Sequence, residues 1–105
     1  MDPAYRVVLT TTNSTENVKA IVDAVLVKKL AACIQVLPIE SHYLWQEKVN
    51  HESEFLLLLK AKASDYADLE SAIRAVHAYE IPEIIGLDIE NGSSDYLAWI
   101  SAVTR

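Results

Sequence analysis

Apolar and polar positions along the chain alternate between two periods, and the changes of period mark the elements. Residues 5–12, Tyr5 to Thr12, are β-branched or aromatic with few breakers and predict a buried strand. Asn13 with Glu16 three residues on, or Ser14, supplies helix-start chemistry. Val18, Ile21, Val22, Val25, Leu26 and Leu30 then recur at spacings of three and four, the stripe of an amphipathic helix. Cys33 to Leu37 reads as a strand, Pro38 interrupts it, and His42 to Trp45 continues it. A proline within a strand marks an edge or a bulge. The polar stretch Glu47 to Glu52 is expected to turn the chain. Glu54 to Ala61, with Phe55-Leu56-Leu57-Leu58-Leu59 at its centre, is expected to be a strand buried on both faces. Residues 32–62 therefore form one long, bent hairpin.

A second helix starts near Ser64 or Asp65, carries Tyr66, Leu69, Ile73 and Val76 at helical spacing, and ends before Pro82. Glu83 to Ile89 predicts a fourth strand, and Asn91-Gly92 a turn. Ser93 or Ser94 then caps a short final helix bearing Tyr96, Leu97, Ile100 and Val103. The order is βαβ, βαβ and a small helix. Right-handed crossovers into one four-stranded sheet make this an α+β, ferredoxin-like βαββαβ sandwich. One sheet face is covered by helices, and the other carries more apolar residue than water tolerates, so an oligomer is implied.

The chain has 105 residues, which fits a single domain spanning 1–105. No apolar run approaches the ~20 residues of a membrane helix. The net charge of −6 argues against nucleic acid, whose phosphates call for a positive surface. The start, Met1 to Arg6, lacks the basic and apolar stretches of a secretory signal, and the one cysteine, Cys33, excludes an internal disulfide. Both favour the cytoplasm. Cys33 is expected to be a packed thiol, and His42 and His51 to be solvated on the polar hairpin. Thr10-Thr11-Thr12-Asn13-Ser14-Thr15 has no glycine and is a strand end with a helix cap, not a phosphate loop. No serine or cysteine nucleophile sits in a recognisable elbow, which argues against an enzyme.

Several stretches taken in order resemble the CutA divalent-cation tolerance family. They are Lys29-Leu30-Ala31-Ala32-Cys33-Ile34, Pro38, Tyr43-Leu44-Trp45, His77-Ala78-Tyr79-Glu80-Ile81-Pro82-Glu83-Ile84, and Asp95-Tyr96-Leu97-Ala98-Trp99. Ile39 and Glu47 stand where the family usually has glycine, and Ala78 where it has proline, so the hairpin bend and turn are expected to differ locally. The resemblance implies a homotrimer and a metal-linked tolerance role. The alternative is a trimeric ligand-sensing or scaffolding protein like the PII signalling trimers.

Tyr43, Trp45, Lys60, His77, Tyr79, Glu80 and Trp99 are candidates for a ligand pocket or a subunit interface. His77, Glu80 and Glu83 are candidate ligands for a weakly held copper or zinc ion. Members of the family credited with copper binding carry a cysteine in the first strand and two adjacent histidines. Those positions fall on Thr10, Val76 and His77, so only one imidazole of that set remains.

Overall fold

The computed structural model describes residues 4–105. Met1–Pro3, the first half of the Met1 to Arg6 stretch that is expected to lack a leader, lie outside the described residues. The strands are β1 (Tyr5–Thr12), β2 (Cys33–Trp45), β3 (Lys48–Lys62) and β4 (Ile84–Asp88). The helices are α1 (Thr15–Val27), α2 (Tyr66–Val76, entered through a 3-10 turn at Ala63–Asp65) and α3 (Ser94–Val103). The strands form one sheet in the order β2-β3-β1-β4 with every neighbouring pair antiparallel. That is the ferredoxin-like order.

Ser14 starts α1, its Oγ accepting the Asn17 N–H at 3.1 Å. The helix ends in a Schellman turn in which Lys29 N–H donates to Leu26 O and Leu30 N–H to Val25 O. Lys29 takes φ 55° there, at the place glycine usually fills. The stripe of α1 faces inward through Ile21 and Val25, but Leu26 stays 42% exposed because it sits on the flank away from the sheet. Val8, Leu57, Leu59 and Ala61 meet these side chains and Leu69 and Ile73 of α2 to make the core. Gly86 of β4 is held to hydrogen by packing, since a Cβ would stand 2.8 Å from the Tyr66 ring.

Side chains alternate across the sheet, so Leu9, Leu37, Leu56, Leu58, Ile85 and Leu87 point away from α1 and α2. The strand Glu54 to Ala61, expected to be buried on both faces, carries fully buried apolar side chains on one face alone. Leu57 and Leu59 are fully buried, whereas Leu56 and Leu58 are only half-buried, because α3 reaches just one end of this second face. There Tyr5 Oη lies 2.6 Å from Ser101 Oγ. The rest stays open, with Leu37, Ile85 and Leu87 exposed by 42%, 45% and 49%.

The hairpin is longer and tighter than its composition indicates. Partners run without offset from Cys33↔Lys60 to Trp45↔Lys48, so Pro38 introduces no bulge. It is tolerated because β2 is an edge strand, whose outward backbone groups need no ladder partner. The polar stretch 47–52, expected from its composition to turn the chain, is not a loop: after Glu47 it is the start of β3. Only Gln46 and Glu47 turn, with φ of 51° and 64°, the backbone of a two-residue type I′ hairpin. A side chain therefore occupies a left-handed position where the family's glycine would be at ease.

Candidate functional site

A cleft of about 500 Å³ opens where the hairpin leaves the body of the sheet, beside the connection from α2 to β4. Tyr43 and Trp45 of β2 form one wall, Glu52 and Glu54 of β3 the floor, and Tyr79, Glu80, Ile81 and Glu83 of the connection the other wall. The strand register puts Tyr43, Glu52 and Glu54 on one side of the hairpin. Pro82 keeps the connection from continuing α2.

Two tyrosine–carboxylate bonds organise the interior. Tyr79 Oη donates to Glu54 Oε2 at 2.6 Å, and Tyr43 Oη to Glu52 Oε1 at 3.0 Å. Asn13 Nδ2 donates to the other Glu52 oxygen at 3.1 Å. Burial, then the bond to Glu54, pushes the Tyr79 hydroxyl well above its ordinary range, so it remains a donor. The bond to Glu52 raises the Tyr43 hydroxyl in the same sense.

His77 does not face the cleft as a free base. Its Nδ1 accepts the Tyr79 N–H at 3.0 Å. That acceptance leaves the proton on Nε2, which donates to Thr11 O at 2.9 Å. Desolvation lowers its proton affinity below that of an ordinary histidine. Both nitrogens are committed to main chain, so the ring is a brace between the connection and the end of β1. A metal role for His77 finds no lone pair in this arrangement.

Asn17 completes that brace. Its Oδ1 accepts from Thr12 Oγ1 and from the Ala78 N–H, and its Nδ2 donates to Val76 O. Ala78 replaces the family's proline and uses the N–H that proline would lack. Sequence reasoning missed Asn17, Glu52 and Glu54. The only signal was a polar side chain on the inner flank of a helix and an acidic residue at a strand end.

Of the candidates, Tyr43, Trp45, Tyr79, Glu80 and Glu83 are brought together in the cleft. Lys60 lies six residues along β3 from Glu54, about 20 Å away at strand rise, with Nζ bonded to Gln35 Oε1 at 2.6 Å. Trp99 stands on α3 with its ring 5.6 Å from that of Tyr96. Both belong to the second face of the sheet, and the pocket alternative does not include them. Cys33 is half-buried rather than fully packed, for it opens the edge strand beside Tyr96.

Fold and site together define a ferredoxin-like α+β sandwich whose extended hairpin carries an acidic, aromatic cleft at its base. The sequence model of the CutA1 divalent ion tolerance protein family matches residues 6–103, and the chain belongs to that family. It is 40% identical over 100 residues to the chloroplastic CutA protein of Arabidopsis thaliana, covering 94% of this chain and 55% of that one. Against the divalent-cation tolerance protein CutA of Thermus thermophilus it is 38% identical over 95 residues, 90% and 92% of the two chains. The solved structure of the periplasmic divalent cation tolerance protein CutA from Archaeoglobus fulgidus superposes with a TM-score of 0.92 at 31% identity, covering 96% and 99%. The chain spans about half the length of its plant and mammalian relatives. No helix among the described residues is long and apolar enough to cross a membrane.

Proposed function

We propose that the chain acts as a homotrimer in divalent-cation tolerance, the role its relatives' names describe. The observation that carries the reading is the open second face of the sheet. Leu37, Ile85 and Leu87 are exposed there side by side with half-buried Leu9, Leu56 and Leu58, next to a 13-residue edge strand. Closing three copies in a ring covers such a face and pairs or shields such an edge. Light scattering at micromolar concentration should give three times the 11.7 kDa of one chain. A stable monomer refutes the proposal.

Copper of the cysteine–histidine kind does not fit these residues. Thr10 offers a fully buried hydroxyl in place of a thiolate, and His77 has no free nitrogen. A cation held in the cleft would meet the carboxylates of Glu80 and Glu83, donors that favour harder or borderline ions. We infer binding without catalysis: His77, the base a nucleophile would need, is committed to main chain. We place the protein in the cytoplasm on its single cysteine, although relatives are described as chloroplastic or periplasmic.

One observation favours the second reading, a ligand-sensing trimer. The cleft volume and its Tyr43, Trp45 and Ile81 walls suit a small organic molecule. Calorimetric titration with metal ions and with nucleotides separates the two. A Trp45→Ala variant that stays trimeric and equally stable but loses a ligand supports the pocket. One that dissociates supports the interface.

A further inference from the structure

On the face of the hairpin opposite the Tyr43 and Glu52 side chains, His42 and His51 stand directly across from each other on β2 and β3, with His42 also bordering the cleft. Counting outward from the two-residue turn makes this a non-hydrogen-bonded pair, the kind that brings side chains closest. Their rings stack with centroids 4.3 Å apart and planes 9° from parallel. Glu40, two residues before His42 on the same face, places Oε2 3.4 Å from His51 Nε2. Ser53 Oγ donates to that carboxylate at 2.9 Å and holds it toward the ring. The side chains of His51 and Glu40 are more than half exposed, so an ion in solution can reach them.

We propose that His42, His51 and Glu40 form a surface site for a borderline divalent transition ion such as zinc, with ligands distinct from the Glu80 and Glu83 carboxylates of the cleft. Two imidazoles and one carboxylate make a three-ligand set with room for a water as the fourth donor. Among the described residues no three such side chains already stand in ligating geometry. The ion has to turn the rings from the stack, each about its Cβ–Cγ bond, until one nitrogen of each meets it at ~2.0–2.1 Å. The backbone positions need not move, because the β2–β3 ladder fixes them. His77 differs in having both nitrogens spent on main chain. The side chains of His42 and His51 make no hydrogen bond among the described contacts beyond the Glu40 pair.

The test is calorimetric titration of the full chain with zinc chloride, with the assembly of each variant checked by light scattering. His42→Ala and His51→Ala should each weaken binding by at least about tenfold, the scale on which even outer-shell partners of a metal act. Glu40→Gln should weaken it less. Cupric ion as a probe should show two equatorial imidazole nitrogens by electron paramagnetic resonance, reduced to one in either variant. No zinc uptake by the wild type, or undiminished affinity in the double histidine variant, overturns the proposal. Zinc lost only in Glu80→Gln or Glu83→Gln overturns it too, while leaving the cation role of the cleft standing.

Discussion

Replacing Glu47 by glycine should stabilise the protein, and the size of the gain follows from the turn. Gln46 and Glu47 hold φ of 51° and 64°, a region that costs an L-residue roughly 1–2 kcal/mol. Glycine removes that cost at its own position but gives back about 0.4–1 kcal/mol through the freer unfolded chain. The net gain is between zero and about 1.6 kcal/mol per chain, centred on about 0.8. In a domain of this size 1 kcal/mol corresponds to about 4–8 °C in Tm, so a rise of a few degrees is expected. Melting must be compared at one protein concentration, since assembly shifts Tm by mass action. Glu47→Ala is the control, because it removes the same charge while keeping the strained backbone. If Glu47→Ala gains as much as Glu47→Gly, the effect is electrostatic and the argument from backbone strain is refuted.

Thr10 Oγ1 is fully buried with no hydrogen-bond partner among the described residues, so Thr10→Val should be neutral or stabilising by up to about 1 kcal/mol in urea unfolding. A loss of stability would reveal a partner for that hydroxyl. The proton affinity of His77 is lowered from an ordinary 6.5, chiefly by burial, so the unfolded chain binds the extra proton more readily. The stability this contributes is present above pH 6.5 and is lost as pH falls below it toward the folded value. His77→Gln should flatten that slope in denaturation curves measured on either side of pH 6.5, and an unchanged slope would assign the acid sensitivity to other groups.

The parts of the fold that were legible are those where burial imposes a period. The stripe of α1, the run Phe55 to Leu59 and the spacing of α2 each have a core side to answer to, and each element lies where its pattern places it. The outer hairpin has no such constraint. From Glu40 to Asn50 neither face is covered by a helix, so alternation gives way to mixed polarity and residues 47–52 look like a loop although the ladder resumes at Lys48 and runs on through them. The site was half legible for a related reason. Tyr79, Glu80, Glu83, Tyr43 and Trp45 announce themselves by type and motif. The role of His77 depends on which atoms meet Nδ1 and Nε2, and Asn17 and Glu54 matter only through partners far away in sequence.

That same contrast bears on where the chemistry of this protein resides. A ladder with no core beneath it is held by its turn and by cross-strand side-chain pairs, each worth about 0.2–1 kcal/mol. Here those pairs are Tyr43 with Glu52 on one side and the stacked histidines with Glu40 and Ser53 on the other. Residues chosen to hold such a ribbon are polar, aromatic and exposed, which is also the composition that contacts ions, ligands or another subunit. The hairpin can therefore vary its chemistry without disturbing Val8, Leu57, Leu59 and Ile73, whose packing keeps the sandwich intact.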